Sequence, residues 1–229
     1  GRTDKSRNLD DKVEIVMEDG SSTVQISDPA DITNQRGRYP VHVHRIGDAI
    51  DDHPATIEGS VVWGSPGWGF VSHDSNADFT DNVAFDVFGA HFVAEIGNET
   101  GTWSGNIAIK GEGRPPQPEN INLRTHDLGF DGDGFWLNGR LVVLQDNVAA
   151  GMNGYGYFWF SRGDDMLDSA RANLVNPESA NYADTFASWR PALQGFVGNE
   201  VIASQGGFEV DRRGHVQGHD ERSIVEGFT

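Results

Sequence analysis

Hydrophobic and polar positions in this chain follow a short motif that recurs about every 22 residues. Each copy places Asn or Ser after a Gly or Asp and continues with a run of mostly apolar residues. The copies occupy residues 59–63, 81–85, 105–109, 146–150 and 198–202. A strand-forming motif repeated at this spacing indicates stacked coils, because no single coil can bury its apolar face alone. The pattern predicts an all-β fold, a right-handed parallel β-helix, with Asn82, Asn106 and Asn147 at equivalent corners.

A second strand follows each copy of the motif, and these second strands can also be aligned. The aligned segments are residues 41–44, 70–73, 92–95, 135–138 and 157–160. Their first and third positions are mostly apolar. Side chains alternate between the two faces of a strand, so these positions predict the core and the second and fourth point outward. The fourth position carries His44, His73 and Glu95 on three successive rungs, with His42 beside them.

The repeat predicts one β-helix domain over residues 1–229, interrupted once. Its predicted parts are opening coils at 1–35, regular coils at 36–161 with a loop at 111–131, a lateral helical excursion at 162–195 and a final coil at 196–229. Three prolines between 115 and 118 exclude a central strand from the loop. Apolar residues four apart, Met166, Ala170 and Leu174, favour a helix in the excursion. We expect the chain to be a segment of a longer protein, since its ends lack a leader and a cap.

Charge narrows the choice of partners. The chain has 35 acidic and 17 basic residues and a formal net charge of −18. Nucleic acids and anionic membranes are therefore disfavoured, because both are polyanions. The chain has no cysteine, which excludes disulfides, thiolate zinc sites and thiol nucleophiles. No stretch has the roughly 20 apolar residues of a membrane span, so membrane insertion is not expected, and the sequence leaves the oligomeric state open.

The outward histidines and glutamate are the candidate metal-ligating or catalytic residues. Rungs of a β-helix stand about 4.8 Å apart, so His44, His73 and Glu95 are predicted to lie side by side. Two imidazoles and one carboxylate form a recognised set of divalent-metal ligands, which predicts a calcium or zinc site. The same three residues with His42 also suit acid–base catalysis. The alternative is a ladder of hydrogen bonds with a purely structural role.

Four further residues are predicted to contact a substrate. Arg45 follows the second histidine, and Asn138 continues the column of Glu95 on the next rung. Trp136 and Phe158 occupy outward positions of the same strands, where aromatic faces can stack on sugar rings. Together they predict a groove that runs along the coils.

Two stretches resemble one known group of proteins. Residues 37–44, Gly-Arg-Tyr-Pro-Val-His-Val-His, resemble the Gly-Arg-Tyr-Pro-hydrophobic-His-x-His signature of the cell-migration-inducing hyaluronan-binding proteins and their fibrocystin-like relatives. Residues 82–95 are similar to that group's Asn-Val-Ala-Tyr-Asp-x-x-Gly-His-x-Phe-x-x-Glu motif, and the resemblance covers roughly residues 30–160. It implies a parallel β-helix of secreted or cell-surface proteins that engage glycans. Ile96 stands where the group usually has Asp, and the group's glycine-rich N-terminal domain is missing, so hyaluronan specificity does not carry over.

These observations favour an extracellular, cell-surface or periplasmic protein that engages a polysaccharide. One hypothesis is a lyase or hydrolase that acts on an acidic glycan. A lyase needs a cation to neutralise the sugar carboxylate and a base to remove the adjacent proton. A hydrolase needs two carboxylates about 5–9 Å apart. The alternatives are a non-catalytic glycan-binding or adhesin module and a structural spine within a large surface protein.

Overall fold

The computed structural model describes residues 15–16, 22–23, 39–47, 54–113, 129–160, 191–211 and 220–229 of the 229-residue chain. These residues form nineteen strands, and no helix occurs among them. Most of the predicted helical excursion, residues 162–190, lies outside the described residues, as do residues 114–128 of the predicted loop.

The strands form one small antiparallel pair and three parallel sheets. The pair is β1 (Ile15–Val16) with β2 (Ser22–Thr23). The first sheet contains β3 (Val41–Gly47), β6 (Phe70–Ser75), β9 (Phe92–Ala94), β12 (Phe135–Leu137), β15 (Tyr155–Phe160) and β18 (Gly206–Asp211). The second contains β4 (Ala55–Glu58), β7 (Ala77–Thr80), β10 (Gly101–Ser104), β13 (Val142–Gln145), β16 (Phe196–Val197) and β19 (Val225–Glu226). The third contains β5 (Val61–Trp63), β8 (Val83–Val87), β11 (Ile107–Gly111), β14 (Val148–Met152) and β17 (Glu200–Ile202).

The chain visits the second, third and first sheets in turn, and each visit pairs with the strand one coil earlier. This confirms the predicted parallel β-helix. The alignment of the first sheet is confirmed residue by residue. Phe92 is the register partner of both Phe70 and Phe135, and His44 is the partner of His73.

The core consists of the inward positions of the three sheets. Phe70, Phe92, Phe135 and Tyr157 are fully buried, and their rings stack on successive rungs with centroids 4.8–5.0 Å apart. Burial of each such side chain contributes about 1.5–3 kcal/mol, and each ring pair adds about 0.5–1.5 kcal/mol. The third sheet contributes small inward residues, such as Ala84 and Ala108, which leave room for these rings.

An asparagine ladder forms the corner between the second and third sheets, and we call it the asparagine corner. Asn82, Asn106, Asn147 and Asn199 are fully buried. The Asn106 amide shows the pattern, since its Nδ2 donates to the Phe79 carbonyl at 2.7 Å and to Asn147 Oδ1 at 2.9 Å. Each ladder residue follows a left-handed residue at the bend, for example Asp81 with φ 54°. The predicted equivalence of these corners is confirmed.

The outer face of the first sheet is mostly covered. Its outward residues Val71, Val93, Trp136 and Phe158 pack with Trp68, Phe88 and Phe130 in a second apolar cluster. Trp68 and Phe88 come from connections between the third and first sheets, and the Trp68 Nε1–H donates to the Gly129 carbonyl at 2.8 Å. These connections therefore bury the outward apolar side chains of the first sheet. The outer face of this sheet is exposed at His42 and His44 on β3.

Candidate metal and acid–base site

Two short strands and the residue after a third present the titratable side chains. His42 and His44 point outward from β3, His73 from β6, and Glu95 directly follows β9. The chain bends immediately after His44 and His73, within β3 and β6, because Arg45 and Asp74 have left-handed φ values of 55°. The parallel register sets His73 against His44, and the Glu95 amide donates to the Ser72 carbonyl at 3.1 Å. We call this cluster the histidine corner.

The four side chains are in contact with one another. His73 Nδ1 lies 3.0 Å from Glu95 Oε2. The His44 ring centroid is 4.6 Å from that of His73 and 4.9 Å from that of His42. His42 and His44 are exposed, whereas His73 and Glu95 are half-buried. The cluster therefore has a half-buried ion pair at its base and two imidazoles at its surface.

Within the described ranges, one group of three residues has ligand atoms that converge as a metal site requires. His42, His73 and Glu95 each offer an atom within 4.8 Å of the other two. The sequence placed His44 in this set, and the structure places it directly beside the set. Residues two apart on a strand share a face, so the alignment could not decide which of the two imidazoles offers a ligand nitrogen to the set.

The proton affinities of the three imidazoles differ. Burial opposes the charged form of His73, but the hydrogen bond and charge of Glu95 outweigh it and raise the pKa of His73 above 6.5. Burial lowers the pKa of His42, against a smaller opposing effect of the Glu95 charge. Burial also lowers the pKa of His44, and the neighbouring His73 charge adds to the decrease. The metal-free cluster thus holds a proton most readily at His73.

A second carboxylate lies beneath the site. Glu99 is 1% exposed, and its Oε1 accepts from the backbone N–H groups of Asp74 at 3.1 Å and Ile96 at 2.8 Å. Its Oε2 accepts from the Gly97 N–H at 2.6 Å. Burial raises the pKa of Glu99, and these backbone hydrogen bonds oppose the shift. One side chain therefore fixes the residues that follow both His73 and Glu95.

Sequence reasoning missed the role of Glu99. The available signal was a carboxylate between Gly97 and Gly101, which have φ values of 112° and 118° and mark an irregular bend. Such a bend leaves backbone N–H groups that need an acceptor. Asp74 supports the same region, since its Oδ1 accepts from the Asn98 amide and its Oδ2 lies 3.8 Å from Arg45 Nε.

Comparison with known proteins agrees with this architecture. The sequence profile described as the CEMIP beta-helix matches residues 22–208. The chain belongs to this family. Fibrocystin-L of Mus musculus is 24% identical over 174 residues, which is 75% of this chain and 4% of that protein. The chain thus spans about 4% of the length of this relative, and the resemblance found over residues 30–160 is confirmed and extended. Within the described ranges, no helix is long and apolar enough to cross a membrane.

In this member of the CEMIP beta-helix family, three of the four predicted substrate contacts are inaccessible. Trp136 and Phe158 are each 2% exposed because the second apolar cluster covers them. Asn138 is also 2% exposed, and its Nδ2 donates to the carbonyls of Glu95 and Ile96, both at 3.1 Å. Asn138 therefore supports the site from below. Arg45 remains 32% exposed at the rim beside Asp74.

Proposed function

We propose that this chain is a glycan-engaging β-helix in which His42, His73 and Glu95 hold a divalent cation at the outer surface. The convergence of their three ligand atoms within 4.8 Å is the observation that carries the proposal. The resemblance to hyaluronan-binding proteins supports a glycan as the partner and an extracellular or cell-surface location.

The donor set favours a zinc-like ion over calcium. Two imidazole nitrogens and one carboxylate oxygen suit zinc and its first-row neighbours, whereas calcium takes six to eight oxygen ligands. Three protein ligands leave at least one coordination position for water or for an oxygen of a bound sugar. Because His42 is exposed, that position would lie on the solvent side of the cluster.

The cation also explains how so acidic a chain would accept an acidic sugar. A formal charge of −18 repels a polyanion unless local positive charge compensates. A divalent ion at the histidine corner supplies that charge, and Arg45 at the rim adds to it. The ion would contact the carboxylate of a uronic acid directly.

If the site is catalytic, the geometry favours elimination over hydrolysis. Asp74 and Glu99 lie beside the site, but they are 4% and 1% exposed and already accept hydrogen bonds, so neither is open as a second carboxylate. In a lyase reaction, His44 would take the C5 proton, the C4–O bond would break, and a C4–C5 double bond would form while the leaving oxygen gains a proton. The non-catalytic alternative uses the same cation for binding alone.

Zinc titration by calorimetry tests the cation site. We expect His42→Ala and His73→Ala to weaken zinc binding strongly, since two remaining ligands rarely hold such an ion. His44→Ala is the matched control, because the same residue type is removed from the same strand face, and it should retain most of the affinity. Equal zinc binding by all four proteins, or none by the wild type, would overturn the site.

Glycan engagement needs a separate measurement. Hyaluronan and polygalacturonate oligosaccharides should bind the zinc-loaded wild type and lose affinity after chelation. Ultraviolet absorbance of an unsaturated product would identify a lyase, and His44→Ala should then bind the sugar without cleaving it. Affinity that is unchanged by chelation would contradict the role of the cation.

A further inference from the structure

The outer face of the third sheet is apolar, although it faces solvent. Val61 and Trp63 are 70% and 77% exposed, and Phe85, Ile107 and Ile202 are 36–47% exposed. Outward positions of a solvated sheet are normally polar, and a contiguous apolar patch with a polar rim marks a binding surface. We call this face the outer stripe, and its members are Val61, Val83, Ile107, Val148, Trp63, Phe85, Ile109, Ala150 and Ile202.

The parallel register of the strands aligns the side chains of the outer stripe in two straight columns. Trp63, Phe85, Ile109, Ala150 and Ile202 are successive partners in one column. Val61, Val83, Ile107 and Val148 form the other, which ends at Glu200 on the fifth rung. Five rungs at about 4.8 Å give a length of about 19 Å, and the columns stand about 7 Å apart. The two aromatic rings lie on adjacent rungs at one end.

The size and charge of this face argue against a second copy of the chain as its occupant. A strip of these dimensions offers on the order of 300 Å² at most. A stable protein interface needs about 800 Å² from each partner. Two chains of charge −18 would also repel each other. A narrow, uncharged linear ligand fits the dimensions better.

The rim supplies the polar contacts that such a ligand requires. Asp81 and Asp146 border the outer stripe at the asparagine corner, and both are exposed. The opposite border carries Asp86 and Lys110, whose Oδ1 and Nζ atoms are 2.8 Å apart. Carboxylates accept hydrogen bonds from hydroxyl groups and repel anions. The apolar face of a pyranose ring can pack against an exposed aromatic side chain, and Trp63 is such a side chain.

We infer that the outer stripe is a second carbohydrate surface, which binds uncharged sugar rings along the axis of the β-helix with Trp63 and Phe85 as the stacking platform. The inference rests on the proposed function only in taking a glycan as the partner, since it involves a different sheet and no cation. The exposed Trp63 provides what the buried Trp136 and Phe158 cannot, which is a ring face open to a ligand.

Titration with neutral hexasaccharides (cellohexaose, chitohexaose and mannohexaose), followed by tryptophan fluorescence and calorimetry, tests this inference. At least one should bind the wild type, and Trp63→Ala should weaken it about 10-fold or more, the equivalent of one lost stacking contact. Phe85→Ala should weaken it less, and Trp63→Phe should restore part of the loss. Ile224→Ala, which removes a 61% exposed residue outside the outer stripe, should have no effect.

The two proposals fail separately. His73→Ala should leave the binding of neutral sugars intact, and Trp63→Ala should leave zinc binding intact. No binding of any of the three sugars, or equal binding by the wild type and Trp63→Ala, would overturn the second surface. Self-association in sedimentation experiments that is abolished by Trp63→Ala would also overturn it, and would make the outer stripe a protein interface.

Discussion

The asparagine corner and the histidine corner are built alike and differ in what their side chains leave unsatisfied. Both are bends where equivalent positions of successive coils line up. At the asparagine corner each rung repeats the same residue, and the Asn147 Nδ2, for example, donates to the Trp103 carbonyl and to Asn199 Oδ1. At the histidine corner the rungs carry His44, His73, Glu95 and Asn138, so three residue types share four rungs.

This difference separates stability from function. A repeated amide is donor and acceptor at once, so a ladder of asparagines satisfies itself and excludes water. Imidazoles and a carboxylate retain capacity for protons or metal ions, and two of the imidazoles are exposed. The backbone beneath the histidine corner must therefore be satisfied from elsewhere, and Glu99 and Asn138 provide those hydrogen bonds.

The largest effect should come from breaking the asparagine ladder. Asn106→Ala removes the side-chain donor to the Phe79 carbonyl and the acceptor of the Asn82 backbone N–H. It also removes one of two partners from Asn82 Nδ2, which keeps the Ile57 carbonyl, and from Asn147 Oδ1, which keeps the backbone N–H of residue 106. Each lost partner of a buried polar group costs about 1–3 kcal/mol, so we expect the free energy of unfolding to fall by about 3 kcal/mol or more. Chemical denaturation measures the change.

Asn153→Ala is the matched control. The Asn153 Nδ2 also donates to a backbone carbonyl, that of Glu112, at 2.6 Å, but the residue is exposed and water can replace it. We expect a change within about 0.5 kcal/mol. Similar losses for both variants would mean that burial of the ladder contributes nothing beyond the single hydrogen bond.

Repetition explains how much of the fold could be predicted from the sequence. The asparagine motif and the aligned second strands consist of residues that recur at a fixed period. A fixed period constrains the register of every coil at once. Inward positions followed from alternation, as Phe92 and Leu137 illustrate. The prediction weakened wherever the determining residues lie in connections between the sheets. Trp68 and Phe130 cover Trp136, and no period within a strand could indicate that cover.

The candidate site was predictable to the level of the sheet face and no further. The column of His44, His73 and Glu95 is a register property, and the register was correct. Which imidazole converges with Glu95 depends on side-chain rotation, which alternation does not determine. Glu99 acts through an irregular bend, where neither the period of the coils nor the alternation of strands applies.

The second largest effect should follow from weakening the support of the histidine corner. In Glu99→Gln, one carboxylate oxygen becomes an amide donor that faces an N–H group of Gly97, Ile96 or Asp74. We expect a loss of about 1–3 kcal/mol in the free energy of unfolding. Because these N–H groups fix the residues after His73 and Glu95, zinc affinity should also fall about 10-fold, although Glu99 is not a ligand.

Glu112→Gln provides the comparison for that variant. Glu112 is 33% exposed, and its ion pair with Lys110 is 3.9 Å long. A surface pair of this kind contributes about 0–1 kcal/mol, and zinc affinity should not change. If Glu99→Gln lost stability but kept the zinc affinity and the His73 chemical shifts of the wild type, Glu99 would be structural only and not a positioning residue.

The smallest effect concerns protons at the histidine corner of the metal-free protein. Nuclear magnetic resonance titration should show the pKa of His73 above 6.5 and those of His42 and His44 below it. A raised histidine pKa stabilises the folded state below the unfolded value, and that contribution is lost as pH rises through the folded pKa. Lowered values act oppositely, so His42 and His44 reduce stability as pH falls below 6.5.

Glu95→Gln separates these contributions. Without the carboxylate, burial opposes the charged form of His73 with less compensation, and its pKa should fall. The wild type should then exceed the variant in stability most clearly below pH 6.5, and the advantage should shrink as pH rises through the folded pKa of His73. Denaturation of both proteins across this range measures the difference. An advantage that stays constant with pH would show that Glu95 stabilises the corner by packing, and that the exposed imidazoles alone carry its response to protons.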